Sequence, residues 1–389
     1  MSRTLRARRV VASIGALMLA LFSFPASTRA STPADTTTAA NAVAWMLTRQ
    51  QPDGGFWVVS PDFETRDSAL AIAEQAQTGP TWSTSVARAA LAALHFPDAD
   101  RHTPLDSLDA YAASISSGGG LTAAAGAAAK TIALSARPLG LDPAAFDANG
   151  TGDPVDLIAL LGVDCPPTSS LLTFSDKLYA LIAGVSICGE TPTKLVADVR
   201  AAQQADGSWG FVGDPTATGY DPDITGLAIQ ALVAGGVPGT DPAIRAGLRA
   251  SALAQQTNGG WIDFFGTESN ASSSSLVVSA IEAAGFDPTS PCWRNTVAPE
   301  HASDAYADPV AWMRSQARPD GHILSPYDSF GVNTFTTSET VHALRANWFP
   351  IARSTATNCV VPGTPPTVSS TAPAVSGAGS DGPVPRFTG

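Results

Sequence analysis

Three short stretches decide how this chain folds: Gln51-Pro-Asp-Gly-Gly-Phe-Trp57, Gln203-Gln-Ala-Asp-Gly-Ser-Trp209 and Gln255-Gln-Thr-Asn-Gly-Gly-Trp261. Each reads Gln-x-x-x-Gly-x-Trp, and a fourth copy from Gln316 keeps Asp320 and Gly321 but ends in His322-Ile323. Each copy closes a segment with apolar spacing near 3.6 residues: Ala39 to Gln50, Pro192 to Gln203, and Pro242 to Gln255. An Asp-Gly or Asn-Gly turn suits a helix end, because glycine accepts the left-handed cap conformation. Trp57, Trp209 and Trp261 are then expected to pack back over the helix ends, with the Gln amides on free carbonyls there.

After each turn comes a polar loop and a second helix, as in the segments beginning at Asp223, Ala271 and Phe335. These start on residues that cap helices well and become almost wholly apolar, as buried helices do. Gly-x-Asp-Pro at 140–143 and 285–288 stops one helix and starts the next. Amphipathic and apolar helices thus alternate with a period of about 50–60 residues. This predicts an all-α fold, a closed double-walled ring of about six helix pairs, or α/α toroid.

Outward from the repeats, residues 1–30 read as an export signal. Five arginines and no acid accompany an apolar run from Val10 to Phe24, followed by small residues up to Ala30. The run is shorter than the ~20 residues needed to span a bilayer, so no stable membrane insertion is expected after cleavage. With those five arginines set aside, 17 basic residues face 34 acidic ones, a net charge of −17. Such a surface repels phosphate backbones, and nucleic acid is excluded as a partner. Residues 359–389, rich in Pro, Ser, Thr and Gly, read as a disordered tail, which leaves 31–358 as the toroid domain. An exported chain with four cysteines suggests two disulfides, Cys165 with Cys188 and Cys292 with Cys359 being the pairing that closes local loops.

The tryptophan-closed turns resemble the QW repeats of the squalene-hopene cyclase and prenyltransferase superfamily. The likeness extends, over about 300 residues, to exported bacterial repeat proteins and to the helical domain of cobalamin carriers such as intrinsic factor and transcobalamin. It is carried by the turns and by YDPDITGLAIQAL from Tyr220, ESNASSSSLVVSAIEAAGFDP from Glu268 and SFGVNTFTTSETVHAL from Ser329. The resemblance implies the toroid and leaves the chemistry open, since one fold hosts cyclases, zinc transferases and non-catalytic binders. Against the Asp-x-Asp-Asp-Thr of class II terpene cyclases stands Asp221-Pro222-Asp223-Ile224-Thr225, where Asp223 would occupy the proton-donor position. The third carboxylate is missing, and capping of the inner helix by Asp223 is the plainer expectation.

The residues on the loops after the turns form the candidate ligand site: Tyr220, Asp221, Asp223, Glu268, Asn270, Tyr327 and Asn333, with Asp62, Glu64 and Asp328 beside them. No metal is expected, because none of the five histidines pairs at a ligand spacing. The sequence reading therefore ranks first an exported toroid that binds a small molecule, a corrinoid-like one among the candidates, or a protein partner at its mouth without catalysis and with no required cofactor. A cyclase-like enzyme using Asp223 ranks second. A surface scaffold with no small ligand, and so no cavity of about 300 Å³, ranks third.

Overall fold

The computed structural model describes residues 31–78, 81–117, 121–162, 172–326, 328–349 and 352–353. Residues 1–30, read above as an export signal, the segment 359–389, Cys165 and Tyr327 lie outside the described residues. Cys188 and Cys292 are not free thiols.

Six helices, largely buried, form the inner wall: α2 (Pro61–Gln75), α5 (Leu121–Thr131), α8 (Phe174–Ala183), α10 (Pro222–Ala234), α12 (Ala271–Ala283) and α15 (Thr334–Leu344). Each packs on the next, α5 reaching α2 through the π-turn Ile132–Ala136, and α15 returns to α2, which closes the ring. The outer wall comprises α1 (Pro33–Leu47), α3 (Thr84–Ala92), α4 (Pro104–Ser117), α7 (Leu157–Gly162), α9 (Pro192–Ala201), α11 (Pro242–Ala254), α13 (Cys292–Val297) and α14 (Pro309–Ser315). The remaining short helix, α6 (Arg137–Leu139), extends the π-turn. Two short antiparallel pairs complete the elements, β1 (Trp261–Ile262) with β2 (Ser269–Asn270) and β3 (Asn347–Trp348) with β4 (Ala352–Arg353). The expected all-α toroid is the architecture observed.

Inner helices can be buried on every face only if their polar groups find partners in the walls. Gln230 shows how: its Nε2 donates to the Leu276 carbonyl of α12 at 3.2 Å, and its Oε1 accepts the Phe349 amide at 2.9 Å. Close approach also demands glycine at 226, where a Cβ would stand 2.7 Å from the Leu276 carbonyl. The seam between the first and last inner helices is held by buried acids. Glu64 accepts bonds from the amides of Val58, Val59 and Ser60 on one side, and from the amide and hydroxyl of Thr334 on the other. Glu74 pairs with His342, and Asp35 of α1 with Arg314 of α14. Glu64, expected at the ligand site, is therefore a fully buried latch of the ring.

The turns repeat as expected, but the first is offset by one residue. Gly54, Gly207, Gly259 and Gly321 share a positive φ, and the residue three before each accepts its amide in the same way. From these glycines the buried slot lies two residues on, and it is filled by Phe56, Trp209, Trp261 and Ile323, all 0% exposed. Trp57 falls one place later, half-exposed, with its indole N–H 3.3 Å from Asp53. Chain distance from the left-handed glycine selects the slot, whatever the residue type, and the doublet Gln50-Gln51 hid the offset. Gln50, Gln203 and Gln255 donate to the carbonyls of those same glycines at 3.2, 2.7 and 2.9 Å. The outer helices are reached by the indoles of Trp209 and Trp261, donating to Val199 O at 2.6 Å and Ser251 O at 2.8 Å, and by Gln203 and Gln256, whose amides donate at 2.8 Å to Ala243 O and Ala254 O of α11. The Val199 carbonyl lies in the last turn of α9, where helix carbonyls run out of intrahelical partners, while the Ser251 carbonyl accepts the indole beside the Gln255 amide.

Candidate functional site

The N-termini of α10, α12 and α15 open at one end of the ring. They are capped in register by Asp221, Asn270 and Asn333. Asp221 Oδ1 accepts the amides of Asp223 and Ile224 at 3.1 Å. Asn270 Oδ1 takes the Ser272 amide at 2.8 Å, and Asn333 Oδ1 the Thr336 amide at 2.7 Å. The cap of α10 is thus Asp221, not Asp223 as the sequence suggested. Thr225 is occupied elsewhere, exchanging hydrogen bonds with the backbone of Trp209. The Asp223 side chain is left free of any capping duty.

Above these termini lies a cavity of about 310 Å³. Asp221, Asp223, Asn270, Ser272 and Ser273 form part of its lining, and Phe211, Phe264, Phe265, Phe330 and Phe335 stand around it. Asp263 and Asp328 also border it, each tied into its own loop: Asp263 accepts the Phe265 amide at 2.8 Å, and Asp328 accepts from Asn333 Nδ2 and Thr336 Oγ1. The lining contains four carboxylates and no lysine or arginine. Between Asp67, Glu74, Glu339 and His342 only about 10 Å³ remains.

Burial dominates the electrostatics. It pushes the Asp223 carboxyl up to about 7, with help from the neighbouring charge of Asp221, while Ser273 pulls the other way. One oxygen of that carboxyl, Oδ1, is buried without a hydrogen-bond partner. Asp221 is raised to about 6, again by burial, which its two amide bonds only partly offset. A carboxyl short of donors in a poorly solvated site favours its neutral form. Behind the cavity wall the Ser272 hydroxyl donates to Glu339, which burial and the nearby Asp67 hold well above the usual carboxylate range.

The structure gathers Asp221, Asp223 and Asn270 at the cavity and sets Asn333 beneath its rim as a cap. It separates two others. Tyr220 is half-buried and turns its hydroxyl to Ser251 at 2.9 Å, while Glu268 is exposed over a different cleft beside Trp312. Asp62 is exposed in the first turn of α2. Sequence reasoning missed the five phenylalanines, Asp263, Ser273 and Glu339. Four of these phenylalanines lie in the loops after the turns, a position that could have flagged them, while Phe335 begins an inner helix. Among the described residues no group of three or more His, Cys, Asp or Glu side chains could hold a metal ion.

No protein-family model matches the chain, and no curated protein sequence matches it. Solved structures do. A protein from Actinoplanes superposes with a TM-score of 0.51 at 16% identity, covering 80% of this chain and 98% of that one. A variant of the type II terpene cyclase MstE from Scytonema, in complex with the substrate geranylgeranyl dihydroxybenzoate, gives 0.52 at 13% identity, covering 80% and 96%. The same enzyme without ligand gives 0.50 at 14%, covering 80% and 97%. At such identities the likeness is one of fold, and the fold of this chain is the α/α toroid found in type II terpene cyclases.

Proposed function

We propose that the cavity takes an uncharged, alkene-bearing apolar molecule of isoprenoid type and that Asp223 donates a proton to it. The observation that carries this reading is a single one: a carboxyl raised to about 7, with an unpartnered buried oxygen, facing a cavity lined by five phenylalanines. A general acid works best when its pKa lies near the operating pH. As its O–H proton adds to one alkene carbon, positive charge develops on the other, and Asp223 is left as a carboxylate. Phenylalanine faces attract that charge by about 0.5–2 kcal/mol each in a desolvated site. Loss of a proton from the cation, returned to the carboxylate, makes the net reaction an isomerisation that needs no cofactor.

Four carboxylates and no base in the lining disfavour a phosphorylated or carboxylated ligand. At about 310 Å³ the cavity stands at the small end of ligand sites, large enough to argue against a pure scaffold. A corrinoid would meet it only by an edge. Binding without catalysis is the second reading, favoured by Ile224 standing where the cyclase motif has its third carboxylate.

The test is incubation of the purified protein with prenyl alcohols and the matching diphosphates, with products read by mass spectrometry. Turnover of the alcohols, lost in Asp223→Asn while ligand binding persists, is the expected result. Binding of the alcohols by both proteins with no product from either leaves the second reading in place.

A further inference from the structure

The loops around the cavity mouth carry a feature that proton donation does not use. Eight of the eleven large apolar side chains exposed among the described residues lie in four loops, each running from a repeat turn to its inner helix. They are Val58 and Val59, Phe211 and Val212, Phe264 and Phe265, and Phe330 and Val332, with exposures from 39% to 78%. Each repeat contributes two. The four loops meet at one end of the ring: Phe330 packs on Phe63 of α2 at 5.3 Å, a Cβ at Gly219 would touch Phe264, and Phe211, Phe264, Phe265 and Phe330 share the cavity lining. Apolar surface concentrated in this way marks a surface that is covered in use.

We propose that this crown is a docking surface for an uncharged or zwitterionic lipid layer, into which the loop tips insert so that the cavity opens to the lipid phase. Three observations favour lipid over a protein partner. The tips stand on separate loops around an opening, and a protein seated on them would seal the cavity. The crown is continuous with the phenylalanine wall, so an apolar molecule can pass from lipid to cavity without crossing water. Finally, charge selects the kind of lipid. The four loops, residues 57–62, 210–221, 262–270 and 324–333, contain Asp62, Asp214, Asp221, Asp263, Glu268 and Asp328 and not one lysine or arginine. Amphipathic surfaces that seek anionic membranes carry the reverse pattern. Docking here draws on apolar insertion alone and is repelled by anionic headgroups. Because it needs no chemistry at Asp223, it stands whether or not the proposed reaction does.

Flotation with phosphatidylcholine vesicles, compared with vesicles rich in phosphatidylglycerol, tests the proposal on the full chain. The protein is expected to float with phosphatidylcholine, and more weakly with phosphatidylglycerol, where added salt restores binding by screening repulsion. The triple variant Phe211→Ser, Phe265→Ser, Phe330→Ser should lower partitioning at least about tenfold, for each buried phenylalanine side chain contributes well over that factor when fully inserted. Val86→Ser with Ile158→Ser, exposed apolar positions outside the four loops, should change nothing. Circular dichroism and thermal unfolding confirm that both variants fold. Absence of flotation with phosphatidylcholine, preference for phosphatidylglycerol, or equal loss in both variants overturns the proposal. So does a crown-dependent dimer seen by light scattering without lipid, which would make a second copy of the chain the occupant.

Discussion

Replacing Asp223 by asparagine should stabilise this protein, and by an amount that grows with pH. The native carboxyl is raised from 3.8 to about 7, mainly by burial. Between those two values the folded state holds a proton that the unfolded chain has released, so stability falls as pH rises through that window and levels off above about 7. At about 1.4 kcal/mol per pH unit the full penalty is about 4 kcal/mol, and water reaching the cavity reduces it to about 2–4 kcal/mol. Asparagine keeps the shape without the charge. Urea unfolding at about pH 4, 6 and 8 should therefore show the variant's advantage rising from near zero to about 2–4 kcal/mol, with the m-value unchanged. The repulsion between Asp221 and Asp223 disappears with the Asp223 charge and is part of this difference, while burial of Asp221 is common to both proteins. An advantage that stays flat across pH refutes the claim that Asp223 is held neutral by its surroundings, and the proposed proton donation falls with it. The stability given up at this position is the physical reason to regard Asp223 as functional, since a purely structural site would gain from the amide.

Two further predictions test the fold that builds the site. Glu64→Ala removes the acceptor of four backbone amides and one hydroxyl at the seam between α2 and α15, and should cost about 3–5 kcal/mol in denaturant unfolding; a loss below about 1 kcal/mol contradicts the latch. Phe56→Ala should cost about 3–5 kcal/mol while Trp57→Ala costs under about 1 kcal/mol, because only Phe56 fills the buried slot. The reverse order, measured as the shift in thermal midpoint, would return the first repeat to a tryptophan-closed turn.

The helices and their turns were legible because their causes are local. Asp-Gly and Asn-Gly turns, Asp-Pro starts and 3.6-residue spacing act over a few residues, and their regular recurrence implies neighbours that stack and close. Capping is equally local, but Asp221 and Asp223 stand two residues apart, and only the folded backbone shows that Asp221 caps α10. The offset at Phe56 was hidden because a tryptophan beside a phenylalanine looks like the better anchor, and only the position of Gly54 decides between them. Glu64 and Glu268 look alike as acids in polar loops, yet one is buried at a seam between residues 270 positions apart and the other faces water.

By itself, then, the sequence determined the helical repeat, its turns and the closed ring that follows from them, all short-range consequences of residue type. Tertiary structure decided the site. The phenylalanines come from three stretches spread along more than a hundred residues of chain, and the packing of α10, α12 and α15 brings them to one mouth. The acidity of Asp223 was likewise beyond local reading, since a carboxyl's pKa depends on how much water the rest of the fold removes from around it.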